Sequence, residues 1–193
     1  MISFICNRLA DFLCKKEIIP QDEKEIYVYG YEMILTTILG AVLVFVTALL
    51  SCRLIEAFCF FVVFVLTRQY CGGYHAQTRI ICSVVFMLCY ISVLLFSAVI
   101  GNDFSWAIHL VIFGAYFAAI LLYAPVENVN KPLTETDIRV NRRKCVIISL
   151  VWFIAASALL PFYPLLSAVI DLTLAVIAVL IIFEVLSRKE EKK

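Results

Sequence analysis

The sequence predicts an all-α, polytopic integral membrane protein with six transmembrane helices, one of them short, and an N-terminal amphipathic interfacial helix. Of its 193 residues, 64% are hydrophobic, and the mean hydropathy is +1.00. Several apolar runs reach or approach the ~20 residues that a helix needs to cross the hydrocarbon of a bilayer. Such a composition cannot cover a water-exposed surface, and the length suits a single membrane domain, residues 1–193.

Residues 1–20 are predicted to form the amphipathic helix. Apolar and charged residues recur at helical spacing on two opposite faces: Ile2, Ile5, Leu9, Phe12 and Leu13 on one, and Arg8, Asp11 and Lys15 on the other. This pattern is typical of a helix that lies in the membrane interface, where it acts as a lid or an anchor on the other helices. Pro20 and the charged residues 21–25 end it.

A six-helix core is predicted over residues 29–186, followed by a charged tail, 187–193. The spans are Tyr29–Leu50, Leu54–Thr67, Ile80–Ile100, Phe104–Tyr123, Cys145–Leu160 and Leu165–Leu186. The second span has 14 residues, a rise of about 21 Å against roughly 30 Å of hydrocarbon. Arg68 at its end is therefore expected below the level of the lipid headgroups.

The distribution of basic residues predicts the orientation. If the N-terminus is cytoplasmic, the outer connections are residues 51–53, 101–103 and 161–164, and Arg53 is the one basic residue among them. The other 15 of the 16 Lys and Arg residues then lie inside, as the positive-inside rule requires. Both termini and the 68–82 segment are thus expected to face the cytoplasm.

That segment carries the candidate chemistry, because it holds His75 and Cys82 between two hydrophobic runs. An imidazole that takes the thiol proton gives a thiolate able to attack an acyl carbon. Seven residues along one helix rise about 10 Å, which is too far for a hydrogen bond between the two side chains. We expect Gly72 and Gly73 to break the helix, with His75 on a loop and Cys82 in the first turns of the next helix, where the helix dipole favours a thiolate.

Other polar residues have competing interpretations. Cys71 lies four residues before His75, but the glycines argue against a shared helix, so we assign it to packing. Glu32 either orients the His75 imidazole or binds the Arg68 guanidinium, and a simple Glu32–Arg68 ion pair is the plainer alternative. Asp171 is expected to reach the outer interface, and His109 to be a hydrogen-bonded packing residue.

The cysteines and histidines predict neither disulfides nor a metal site. The chain has eight cysteines, of which Cys52 alone would face outward, so no external pair exists to be oxidised. No CxxC or HxxxH spacing occurs, and we expect no metal and no other cofactor.

Three stretches together resemble the AgrB family (accessory gene regulator protein B), membrane cysteine endopeptidases of bacterial peptide quorum sensing. They are the pattern Arg68, Gly72-Gly73, His75-Ala76 and Cys82, the upstream Tyr29-Gly30-Tyr31-Glu32, and the downstream run 124–133, Ala-Pro-Val-Glu-Asn-Val-Asn-Lys-Pro-Leu. The resemblance implies that Cys82 cleaves an AgrD-like propeptide before its acidic tail, with His75 as base and then acid. It also implies that the resulting thioester closes to a thiolactone or lactone ring, the autoinducing peptide.

The expected partners follow from this resemblance: the propeptide, the lipid bilayer of the bacterial cell membrane, and a homodimer as a further option, but no nucleic acid. The basic residues Lys131, Arg139, Arg142 and Arg143 either reflect topology and anionic lipid or hold the acidic tail. The N-terminal helix is a candidate receiver of the amphipathic part of the peptide. A peptide exporter or a non-catalytic membrane scaffold are the alternative functions.

Overall fold

The computed structural model describes residues 2–16, 18–72, 79–101, 103–126 and 135–191, and every regular element in these ranges is helical. In these ranges the first helix is followed by a 3-10 turn, Gln21–Glu23, and then by six more helices. The helices are α1 (Ile2–Lys15), α2 (Lys24–Leu50), α3 (Leu54–Cys71), α4 (Arg79–Ile100), α5 (Trp106–Tyr123), α6 (Glu135–Leu159) and α7 (Pro164–Glu191). The all-α prediction is confirmed.

Helix α7 is the central helix of the bundle. It contacts α3, α4, α5 and α6, and 56% of its most apolar stretch is buried, against at most 33% in the other long apolar helices. Its inward side chains are small or branched, among them Ala168, Val169, Leu174 and Ile177, which lets the four neighbouring helices approach closely.

Helices α2 and α1 lie at the periphery, since α2 packs on α3 and α4, and α1 packs on α2. Large apolar side chains point outward around the bundle, for example Leu50, Val99, Val111 and Leu122, each more than 70% exposed. An apolar surface of this extent belongs in lipid rather than in water.

Within the described ranges, five helices are long and apolar enough to cross a membrane: α2, α3, α4, α5 and α7. Helix α6 differs because Arg142, Arg143 and Lys144 immediately precede its apolar part, residues 145–159. Six spans therefore remain a prediction.

The helices extend beyond the predicted hydrophobic spans. Helix α3 has 18 residues, not 14, and its rise of about 27 Å comes close to the hydrocarbon thickness. Arg68 does not end it, because its guanidinium lies over the Phe64 ring, 5.5 Å from the centroid, and the helix continues to Cys71. Likewise α2 begins at Lys24 and α7 continues to Glu191, since charged residues can prolong a helix into water.

Contacts between helices show which connections lie at the same end of the bundle. Arg53, which precedes α3, donates to the Leu94 carbonyl near the end of α4 at 3.0 Å. Gly101, which follows α4, lies against Leu165 at the start of α7. The connections 51–53, 101–105 and 160–163 thus lie at one end of the bundle, the turn end. The chain after α3 and after α5 leaves from the opposite end, which we call the loop end.

Helix α1 is confirmed as a helix, and its two faces have different surroundings. Cys6 and Ala10, four residues apart, are buried, and the Asp11 carboxylate lies 2.5 Å from the Lys24 ammonium of α2. The apolar residues Phe4, Ile5, Leu9 and Phe12 are exposed. A place for α1 in the membrane interface remains a prediction.

Candidate active site

Gly72 ends α3 at the loop end, as the sequence predicts. Its φ and ψ are 75° and −150°, a region of backbone conformation that is essentially restricted to glycine. A Cβ atom at this position would lie 2.4 Å from the Val126 carbonyl oxygen. Both the backbone angles and the contact with Val126 therefore require glycine.

A backbone hydrogen bond joins the end of α3 to the chain after α5. The Val126 N–H donates to the Cys71 carbonyl at 3.1 Å, so one of the last carbonyls of α3 is paired although the helix has ended. The segments that follow Gly72 and Val126 consequently leave from adjacent points. His75 and Gly73 belong to the first segment and Lys131 to the second, and all three lie outside the described residues.

Cys82 lies in the first turn of α4, which begins at Arg79, and its side chain is partly exposed. The predicted position of Cys82 is confirmed. The backbone N–H groups of a helix start are unpaired and carry a partial positive charge, which favours a thiolate over a thiol. A partly exposed thiol at this position can meet a substrate.

Cys71 has the opposite environment. It is fully buried, and its thiol contacts the Cys145 thiol and the Tyr116 hydroxyl, which in turn hydrogen-bonds to Ser149 at 2.8 Å. A peptide could not reach this thiol without opening the packing between α3, α5 and α6. The assignment of Cys71 to packing agrees with this environment.

Glu32 and Arg68 lie on α2 and α3, each towards the loop end of its helix. Glu32, in the third turn of α2, is 5% exposed, and Arg68, in the last turn of α3, is partly buried with its guanidinium over Phe64. A carboxyl this well buried near a bundle end must serve a specific partner. Whether Glu32 orients His75 or serves Arg68 stays a prediction.

The predicted basic residues of α6 fall into two kinds. Arg142 donates to the Leu121 carbonyl in the last turn of α5 at 2.9 Å, so it already pairs one of the carbonyls that a helix end leaves open. Lys144, a further basic residue of this segment, lies over the Tyr70 ring, 5.1 Å from its centroid. Arg139 and Arg143 are exposed and four residues apart, hence on one face of α6.

Two features of the structure were not expected from the sequence. Val126 contributes through its backbone, which no side-chain pattern reveals. Asp171 was expected at the outer interface, but it is fully buried, because the His109 imidazole lies 2.5 Å from its carboxylate. His109 is a hydrogen-bonded packing residue, as predicted.

Comparison with known proteins places the chain in a family. AgrB-like proteins of Listeria monocytogenes serovar 1/2a and Clostridium perfringens strain SM101 are each 26% identical to the chain, over 162 and 175 residues. The alignments cover 82% and 86% of this chain and 78% and 80% of the relatives. No solved structure matches. The family model for accessory gene regulator B matches residues 6–187, and the chain therefore belongs to the AgrB family.

Proposed function

We propose that this chain is a membrane-embedded cysteine endopeptidase that cleaves an AgrD-like propeptide and promotes its cyclisation. Membership of the AgrB family supports a role in processing a quorum-sensing peptide. The observation that carries the enzymatic proposal is the contrast between the two cysteines flanking the break: Cys82 is partly exposed at a helix start, whereas Cys71 is fully buried.

In the proposed mechanism His75 takes the proton of the Cys82 thiol, and the thiolate attacks the carbonyl carbon that precedes the acidic tail. The tetrahedral intermediate collapses by breaking the C–N bond, and the imidazolium gives its proton to the leaving amine. The remaining peptide is held as a thioester on Cys82. A thiol or hydroxyl of the same peptide then attacks this thioester and gives its proton to the His75 imidazole, so that the ring closes, the C–S bond breaks and the Cys82 thiolate is released.

The membrane setting favours ring closure over hydrolysis. We place the protein in the bacterial cell membrane with six spans, α6 crossing through its apolar residues 145–159, and with both termini and the loop end in the cytoplasm. The single basic residue of the turn-end connections, Arg53, supports this orientation. A site at the membrane boundary is poor in water, so the thioester survives long enough for the intramolecular attack.

Recognition of the substrate is proposed to use two surfaces. Arg139 and Arg143 present two guanidinium groups on one exposed face of α6, which suits an acidic tail. The exposed apolar residues of α1, Phe4, Ile5, Leu9 and Phe12, suit the apolar face of an amphipathic peptide. Lys131 would add a further positive charge from the neighbouring loop.

Replacing Cys82 with alanine should lower propeptide cleavage by at least about a thousandfold, because the nucleophile is lost. Replacing Cys71 should change cleavage less than about threefold and act on stability instead, since its thiol only packs. Release of the acidic tail by purified variants in vesicles, resolved by gel or mass spectrometry, measures both. Cleavage by Cys82→Ala at the wild-type rate would contradict the proposal and favour an exporter or scaffold.

Replacing Gly72 with alanine should reduce cleavage at least about tenfold, because strain of ~1–3 kcal/mol and the contact with Val126 displace the start of the loop that carries His75. Gly114→Ala is the matched control, since a Cβ there meets no atom within 4 Å. Both variants are compared for tail release per folded molecule. Equal rates for the two would show that the geometry at Gly72 has no part in catalysis.

Neutralising Arg139 and Arg143 together, each to glutamine, should raise the KM for the propeptide about three- to tenfold, as expected for exposed charges worth ~0.5 kcal/mol or more each. The effect should vanish when the acids of the peptide tail are changed to amides. Arg142→Gln with Lys144→Gln is the control, because it removes the same charge from residues that already have partners. An equal KM increase with the amide tail would argue against recognition of the tail by charge.

A further inference from the structure

Three side chains form a hydrogen-bonded chain at the turn end, on the side of the bundle away from Cys82. The His109 imidazole, in the first turn of α5, lies between Asp171 of α7 and Ser157 of α6. Its Nδ1 is 2.5 Å from Asp171 Oδ2, and its Nε2 is 3.0 Å from Ser157 Oγ. The central helix is thereby joined to two neighbours.

The surroundings of these three side chains are mostly apolar. His109 and Asp171 are both fully buried. The imidazole stacks on the Phe153 ring, with centroids 5.1 Å apart and planes 14° from parallel, and Trp106 meets it edge-on at 5.9 Å. Ser157 alone of the three is partly exposed. A net charge in such a place is costly, because burial among aromatic rings removes most of its contact with water.

Few other groups could balance the Asp171 charge. At the turn end the charged side chains of the described residues are Arg53, Glu56 and Asp103. Arg53 donates to the Leu94 carbonyl, Asp103 is exposed, and His109 is the titratable group that acts on Asp171 in the described parts of the chain. Asp171 Oδ1 has no hydrogen-bond partner among the described residues.

We propose that His109 and Asp171 form a proton-binding site, in which the buried pair shares one proton and carries no net charge in the folded bundle. The proton makes either an imidazolium beside a carboxylate or a neutral imidazole beside a carboxylic acid, and both states remove the buried charge. This bound proton fastens α5 and α6 to α7. Its loss leaves one buried carboxylate without a compensating positive charge and loosens the turn end.

The same three residues have the order of contacts of a hydrolytic Ser-His-Asp triad, which requires a different charge state. In a triad the imidazole is neutral, accepts from the serine and donates to an ionised aspartate. The number of protons that His109 and Asp171 hold together therefore distinguishes the proposed proton-binding site from a triad with a nucleophilic serine.

Spectroscopy of the pair provides the direct test, because the chain has only two histidines. A His75→Gln variant leaves His109 as the one imidazole that ¹⁵N-histidine labelling detects in the full chain in vesicles. At about pH 8, above the free histidine pKa of ~6.5, the ¹⁵N shifts report the protonation of its two ring nitrogens. The infrared C=O band of a carboxylic acid, assigned by its absence in Asp171→Asn, reports the aspartate.

The proposal expects an imidazolium without the acid band, or a neutral imidazole with it. Any other combination gives the pair a net charge and overturns the proposal, including the neutral imidazole beside an ionised aspartate that a triad requires.

Stability against pH gives an independent readout. Between about pH 6.5 and the higher pH at which the pair releases its proton, the folded protein binds one proton more than the unfolded chain, so stability falls as pH rises. The unfolding equilibrium constant should then increase by up to about tenfold per pH unit in the wild type. A His109→Leu, Asp171→Leu double variant should lose this dependence and be more stable than His109→Leu alone. An identical pH slope in the wild type and the double variant would contradict the proposal.

Discussion

The hydrogen bond from the Val126 N–H to the Cys71 carbonyl is the contact on which the geometry of the loop end depends. Near a membrane boundary, a helix can stop only where protein groups replace the backbone partners that the next turn would have supplied. Val126 supplies one such partner, and Gly72 allows the chain to turn away beside it because it has no side chain to collide with the Val126 carbonyl. The segment with His75 and the segment with Lys131 start side by side as a result.

The two ends of the bundle use polar groups in different ways. At the loop end a partly exposed thiol at a helix start is accessible for chemistry, while the second thiol next to the break is enclosed by Cys145 and Tyr116. At the turn end His109 and Asp171 are fully buried, and His109 joins α7 to α5 and α6. Because α7 runs through the centre of the bundle, both ends pack against the same helix. Contacts that hold the turn end together therefore help to position α4, and with it Cys82, although they take no part in the proposed cleavage.

Much of this organisation could be predicted from the sequence. The hydrophobic runs predicted the helices, because these depend on local composition. The paired glycines predicted the break before His75, because it depends on the conformational freedom of single residues. The apolar run of the second span stops before Arg68, but α3 continues to Cys71, because the Arg68 guanidinium packs on Phe64 one turn earlier and this contact is not visible in the hydrophobic pattern. The burial of Asp171 was also missed, because its partner His109 is 62 residues away and no local pattern links them. Val126 acts through its backbone N–H and carbonyl groups, which a pattern of side chains does not reveal.

If Cys82 carries the peptide as a thioester, the adduct can be trapped and mapped. The full chain would be co-produced with an acid-tailed propeptide in which the ring-closing thiol or hydroxyl is replaced by alanine, so that the acyl-enzyme cannot resolve into a ring. Mass spectrometry of the digested protein would then locate the peptide. We expect an acyl group on Cys82 that hydroxylamine removes and that is absent from the His75→Ala variant. An adduct on Cys71 or another cysteine, formed while Cys82 stays free, would contradict it.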